Sequence, residues 1–274
     1  MTIWQAFILG IVQGITEFLP ISSSGHLVIT PYLLNWEFPK EQVFVFDVLV
    51  QMGTLVAVIF YFRTYIIRIL NAFFKGIISG KPFANPDSRL GWFVVIATLP
   101  AVIGGLLLKD LVESAFHSIL ATAFFLIMTA VLLWLVETFA HQEKDMQKIT
   151  PLDALIIGFF QMLSLFPGLS RSGATISGGV IRKLHREEAA KFSFLMSIPV
   201  MIGAGVLSVN DLISIPNVSE FLPALMVGFL TAMLVGYFSI HWLLKFLNKN
   251  KLTVFSFYCL ILAAITILVY FLRA

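Results

Sequence analysis

Apolar residues run along this chain in long blocks joined by short polar connections. Six blocks, 43–62, 92–108, 119–138, 189–209, 221–246 and 252–272, are long enough to cross a bilayer, since a hydrocarbon core of about 30 Å takes roughly 17 to 25 helical residues. No alternating pattern of strand length recurs, and backbone polar groups in lipid must be satisfied within their own segment. The pattern predicts an all-α integral membrane protein with six full transmembrane helices. Two further apolar stretches, 4–19 and 152–166, are cut by Pro, Ser and Gly before a crossing is complete. They read as re-entrant helical hairpins, and their breaks are expected to line one cavity, because irregular backbone at membrane depth survives only where protein buries it or water reaches it.

Shifting the sequence against itself by 148 positions superimposes the two breaks. Ala6, Ile8, Gly10, Gln13, Phe18, Ser22, Ser24 and Gly25 fall on Ala154, Ile156, Gly158, Gln161, Phe166, Ser170, Ser172 and Gly173, and Phe44 and Phe46 fall on Phe192 and Phe194. The expectation is one membrane domain, 1–274, built from repeats 1–148 and 149–274. Each repeat holds one hairpin and three crossings, an odd number, so the second lies inverted and the two broken helices meet near the midplane.

Composition agrees with lipid as the main solvent: 59% of the 274 residues are hydrophobic and 12% charged, against about 25% charge in soluble domains, and the mean hydropathy is +0.94. The net charge of +3 comes from scattered short clusters, which argues against nucleic acid as a partner. A single cysteine, Cys259, excludes a disulfide framework or a paired-cysteine metal site. The apolar N-terminus has no Lys or Arg before Lys40 and is interrupted by Glu17, so it is expected to be retained rather than cleaved as a signal peptide. Fourteen of the 18 basic residues fall in connections on one side, leaving Lys40, Lys109 and Arg273 on the other and Arg171 in the second break. The richer side is read as cytoplasmic, with both termini outside and the first hairpin entering from the outer face.

The first break carries Gln13, Glu17, Pro20, Ser22, Ser23, Ser24, Gly25 and His26. Gln13 and Glu17, four apart, share a helix face, and Pro20 is expected to end that helix. An ionisable group inside a membrane segment marks a functional site by default; the plainer reading has Ser22 to Ser24 capping the next helix and Glu17 facing interfacial water. The second break carries Pro167, Gly168, Ser170, Arg171, Ser172, Gly173 and Thr175. A guanidinium among hydroxyls and glycine-freed N–H groups suits a phosphate, while an ion pair between Arg171 and Glu17 would serve structure alone. Together the breaks supply what phosphoryl transfer needs: positive charge, a nucleophile and a proton carrier. His26 could attack phosphorus itself or act as base to Ser23. Gln13 and Glu17 offer oxygen ligands to a divalent cation, Mg²⁺ or Ca²⁺. Asp47 and Gln51 could line the same cavity or simply bond between helices.

The stretches QGITEFLPISSSGH, from Gln13 to His26, and PGLSRSGAT, from Pro167 to Thr175, closely resemble the undecaprenyl-diphosphate phosphatase family, also called the bacitracin-resistance protein family, over nearly the whole chain. The resemblance implies a multi-pass enzyme of the bacterial inner membrane, working at the periplasmic face. It would convert undecaprenyl diphosphate to the monophosphate carrier and inorganic phosphate, feed peptidoglycan synthesis and confer bacitracin resistance. It places the family's acidic motif on Gln13 and Glu17, its Ser-Ser on Ser22 and Ser23, its essential His on His26 and its phosphate-binding Arg on Arg171. Some members have Glu where this chain has Gln13, so Glu17 carries most of the metal argument. The partners expected are the polyprenyl diphosphate and membrane lipids, and a homodimer is an allowed assembly. The rival class is a secondary transporter or flippase of an anionic, phosphate-bearing substrate, with Glu17 and Arg171 as coupling and anion sites. Ser23 and His26 favour the hydrolase, because a transporter requires no nucleophile.

Overall fold

The computed structural model describes residues 1–139, 141–207 and 218–273, with side chains for all of these except 40–42, 44 and 218–220. Residues 208 and 209 of the fourth predicted crossing, and the side chains of Lys40 and Phe44, lie outside what is described. Among the described residues the chain forms twelve α-helices: α1 (Ile3–Thr16), α2 (Ser23–Leu34), α3 (Lys40–Tyr61), α4 (Arg63–Ile78), α5 (Pro86–Leu107), α6 (Lys109–Phe116), α7 (Ile119–Phe139), α8 (Pro151–Leu163), α9 (Arg171–Ile181), α10 (Arg186–Leu207), α11 (Val218–Leu247) and α12 (Thr253–Arg273).

The chain is an all-α, multi-pass membrane protein. Helices α5, α7, α10, α11 and α12 are long and apolar enough to cross a bilayer, and α3 with α4 can supply a sixth crossing as a pair bent by 79°. The connection after the first predicted crossing is therefore itself helical. Its charged residues Arg63, Arg68 and Lys75 share α4 with exposed Ile67, Leu70, Phe74 and Ile78, the composition of a helix lying along an interface.

The broken helices α1 and α8 start and stop by the same physics. Each opens on a capping box, Thr2 with Gln5 and Thr150 with Asp153, and these pairs also stand 148 residues apart. Each stops four residues before a proline. Pro20 does not end α1 at its own position, as the sequence suggests, because its ring crowds the carbonyl four residues back and it has no N–H to offer there. The helix accordingly finishes at Thr16 with Glu17 as its cap, and α8 finishes at Leu163, four residues before Pro167.

Close backbone approach fixes where these helices lie. Helix α1 packs on α11, which packs on α3, while α8 packs on α5, which also meets α10. A Cβ at Gly10 would sit 2.7 Å from the Gly228 carbonyl oxygen, and one at Gly158 would sit 2.6 Å from that of Ala97, so only glycine admits either crossing. Helices α7 and α12 pair with each other and close over α9 and α2. Under the first break, Phe18 is fully buried and meets Phe194 edge to face at 5.3 Å.

The start of α8 is pinned by charge. The buried Asp153 carboxylate accepts from Lys144 Nζ at 3.1 Å, Arg182 Nε at 2.6 Å and the Thr150 N–H at 3.0 Å. Burial alone would raise its pKa, but the hydrogen bonds from Arg182, Thr150 and Lys144 outweigh it and hold the carboxyl below its ordinary value. Nearby, Glu137 takes both a bidentate bond from Arg186 and the N–H of Leu252. These ties fix the end of the molecule from which α8 carries the second break inward.

Candidate active site

Glu17 is the joint between the two broken segments. One carboxylate oxygen, Oε1, accepts from Arg171 Nη2 at 2.5 Å; the other, Oε2, accepts from Ser23 Oγ at 2.5 Å and from Gln13 Nε2 at 2.9 Å. The carboxylate is 3% exposed and the guanidinium 16%. A buried charge is tolerated only when paired and fully hydrogen-bonded, and here the partner is supplied across 154 residues of chain. The tips are in direct contact elsewhere too. Ser172 Oγ donates to the Leu19 carbonyl at 2.8 Å, and a Cβ on Gly25 would lie 3.0 Å from the Gly168 Cα.

Both tips lead into helix N-termini. Ser22 caps α2 by accepting from the Gly25 N–H at 3.2 Å, and Ser170 caps α9 by accepting from the Gly173 N–H at 3.0 Å. Those two glycine donors are therefore spent on caps. The N–H groups of Ser23, Ser24, Arg171 and Ser172 have no hydrogen-bond partner among the described residues, as expected for the first turn of a helix. A helix N-terminus favours an anion, and the side chains of the first residues of these two helices, Ser23 and Arg171, meet on the Glu17 carboxylate. Ser22 reaches its position at φ 70, a left-handed backbone that a non-glycine residue adopts at a cost and that clusters at functional sites. Of the polar side chains here, Ser23, Ser24 and Arg171 are half-buried, whereas Gln13, Glu17, Ser22, His26, Ser170 and Ser172 are buried.

His26 sits in the first turn of α2. Its Nδ1 lies 2.7 Å from the Ser22 carbonyl oxygen and its Nε2 lies 2.7 Å from the hydroxyl of Tyr258 on α12. The ring does not bond Ser23, whose hydroxyl is engaged by Glu17.

The profile described as Bacitracin resistance protein BacA matches residues 6–265, which takes in both tips and most of the residues of the helices that support them. The chain belongs to this family. Curated relatives named undecaprenyl-diphosphatase are 42% identical over 273 residues in Chlorobium chlorochromatii, covering 96% of this chain and 95% of that protein, and 41% identical over 276 residues in Caldicellulosiruptor bescii, covering all of both. Another from Myxococcus xanthus is 41% identical over 258 residues, covering 94% of this chain and 86% of that one.

Within this BacA family member, two residues singled out in the sequence lie elsewhere than at the junction. Thr175 is turned toward α10, with its hydroxyl bonded to the Arg171 carbonyl and to Ser193 Oγ at 2.5 Å. Gln51 is half-buried on α3, and its side chain bonds neither tip among the described residues. Three supports were not visible in the sequence. Thr129 on α7 clamps the second tip by donating to the Gly168 carbonyl and accepting from the Ser170 N–H, both at 2.9 Å. Ser193 and Tyr258 sit in apolar runs that give no local sign of a partner.

A hard cation would find few protein ligands. Among the described residues no three His, Cys, Asp or Glu come together to hold a metal, but the Gln13 Oε1 is buried without a partner next to Glu17. One carboxylate and one amide oxygen fit an ion that takes its remaining ligands from phosphate and water.

Proposed function

We propose that this chain hydrolyses undecaprenyl diphosphate to undecaprenyl phosphate and inorganic phosphate, recycling the lipid carrier for peptidoglycan synthesis and lowering the diphosphate that bacitracin sequesters. Membership of the BacA family and end-to-end similarity to proteins named undecaprenyl-diphosphatase support the substrate and the reaction. The observation that carries the mechanism is the Glu17 bridge, with Arg171 on one oxygen and Ser23 on the other.

In this reading the terminal phosphate enters between the N-termini of α2 and α9, and Arg171 exchanges the Glu17 carboxylate for phosphate oxygens, which it grips in a bidentate fork. Glu17 keeps on Oε2 the hydrogen bond from the Ser23 hydroxyl, the path by which that proton can leave. Ser23 Oγ attacks the terminal phosphorus as its proton passes to Glu17, the bond to the bridging oxygen breaks, and undecaprenyl phosphate leaves. Water then attacks the phosphoserine phosphorus as His26 takes its proton, the bond from phosphorus to Ser23 Oγ breaks, Glu17 returns its proton to that oxygen, and inorganic phosphate departs. Glu17 and Gln13 would hold a Mg²⁺ or Ca²⁺, which supplies charge neutralisation to the diphosphate.

The finer architecture belongs to the same proposal. The matched capping boxes, the matched glycine crossings and the tip-to-tip contact support an inverted repeat with two re-entrant hairpins. The basic-residue asymmetry supports termini and an active-site opening on the periplasmic face of the inner membrane. Purified protein in detergent, given a polyprenyl diphosphate and Mg²⁺, should release phosphate, and His26→Ala should remove the activity without loss of expression. Rapid-quench labelling with ³²P substrate should trap acid-stable phosphoserine; an acid-labile phosphohistidine would transfer the nucleophile's role to His26.

A further inference from the structure

We propose that Tyr258 is a positioning residue for the hydrolysis, acting through His26, which it holds in one tautomer and one plane. The proposal rests on the phosphatase reading given above and extends it to a residue of the last helix.

The tautomer follows from the two partners of the ring. The Ser22 carbonyl can only accept a hydrogen bond, and it lies 2.7 Å from Nδ1. Nδ1 must therefore carry the proton, which leaves Nε2 of the neutral ring as a bare lone pair. That lone pair meets the Tyr258 hydroxyl at 2.7 Å, so the phenol donates and the imidazole accepts. The rings are nearly parallel, with an interplanar angle of 7° and centroids 5.6 Å apart. Two hydrogen bonds at opposite corners and a parallel neighbour leave the imidazole little freedom to rotate.

This matters because a histidine is useful in proton transfer only when the correct nitrogen points at the correct place, and that choice is set by what the other nitrogen bonds. Ser22 is itself held at φ 70 by the tip, so its carbonyl is a fixed anchor for Nδ1. Tyr258 fixes the reactive side. Unlike Ser22, it is 42% exposed, so an arriving water can donate to the Nε2 lone pair by displacing the hydroxyl without any backbone movement. Its helix is held beside α2 by a second tie at the far end, where Arg273 donates to the Tyr32 carbonyl at 2.6 Å and the Leu33 carbonyl at 3.2 Å. Helix α12 thereby grips α2 at both ends and brings the phenol to the imidazole.

The test compares wild type with Tyr258→Phe, which keeps the stacked ring and removes the hydroxyl, and Tyr258→Leu, which removes both. Tyr258→Phe should lower kcat roughly ten- to hundred-fold, the scale of a misplaced catalytic group, with KM held within about two-fold; Tyr258→Leu should fall at least as far. In protein labelled with ¹⁵N-histidine, the His26 Nε2 resonance, assigned by its loss in His26→Ala, should move in Tyr258→Phe toward that of an unbonded lone pair. A normal kcat in Tyr258→Phe, a change confined to KM, or an unmoved resonance would overturn the proposal. The resonance does not depend on turnover, so the two readings fail separately. A shifted resonance in a protein that never releases phosphate would sink the hydrolysis, and Tyr258's part in it, while leaving the contact itself intact.

Discussion

At the first tip Ser22 caps α2, and Glu17, Ser23 and His26 stand around that cap. At the second, Ser170 caps α9, and the positions 148 residues further along are Leu165, Arg171 and Ala174. The backbone frame is thus built twice, with a capping serine, a glycine donor and a free helix N-terminus each time, while the reactive side chains are built once. Ser23 and Arg171 occupy corresponding places, the first residue of each helix, and they reach the two oxygens of the same carboxylate. In the proposed mechanism this doubled frame receives the phosphate, and three unmatched side chains, Glu17, Ser23 and Arg171, make one half the source of the nucleophile and its base and the other the source of the cation.

Making the second tip like the first should do the greatest damage. Arg171→Ser places a serine at both corresponding positions, keeps the caps, and should lower phosphate release at least roughly 10³-fold, because a preorganised charge on the transferring phosphoryl group is lost. Turnover within tenfold of wild type would show that the two tips are interchangeable. Glu17→Gln probes the joint itself: an amide oxygen can still accept from Arg171, yet it cannot take the Ser23 proton. Turnover should drop about 10²-fold at saturating substrate, and an unchanged kcat would remove Glu17 from the proton path.

A smaller effect should separate two positions within the second tip by stability rather than chemistry. Gly168 lies at φ +95, and a Cβ there would fall 2.2 Å from the Thr122 carbonyl oxygen; at Gly173 the nearest atom would be the Ser170 Cβ at 3.0 Å. Gly168→Ala should therefore cost about 3 kcal/mol, combining backbone strain with overpacking. Gly173→Ala should cost about 1 kcal/mol or less, since alanine's better helix propensity offsets the squeeze. Unfolding in mixed detergent micelles measures both, and equal losses would mean that the second tip is not pinned against α7.

The parts of this molecule that were legible in sequence are those encoded locally. Length and apolarity marked the long helices, proline and glycine marked the breaks, and a lone Arg171 within an apolar break called for an anion that Glu17 supplies. The 148-residue offset could be read from Ala6 and Ala154 onward, although the matching helix starts at Thr2 and Thr150 show themselves only once the caps are seen. What stayed hidden depends on packing. Thr175 reads as part of a phosphate loop until α10 presents Ser193 to it. Tyr258 reads as one more aromatic in an apolar run until α12 lies beside α2. Even the end of α1 was misplaced by four residues, because a proline acts on the turn before it.

The least of the expected effects is also the sharpest comparison between the halves, because Gln13 and Gln161 are corresponding residues with different neighbours. Both amide oxygens are buried without a partner. Gln13 Nε2 donates to Glu17, whereas Gln161 Nε2 reaches only the Ala97 carbonyl at 3.3 Å. Replacing Gln13 by Glu removes that donor and sets a second carboxylate beside the first, a repulsion that a divalent cation relieves. The Mg²⁺ concentration for half-maximal phosphate release should accordingly fall roughly five-fold, with turnover at saturating Mg²⁺ nearly unchanged. Gln161→Glu introduces the same charge where the residue corresponding to Glu17 is Leu165, so its Mg²⁺ curve should keep the wild-type midpoint even if the protein is less stable. Equal shifts in the two variants would mean that the ion responds to net charge in the membrane rather than to Glu17, and the cation would then have to be placed elsewhere in the site.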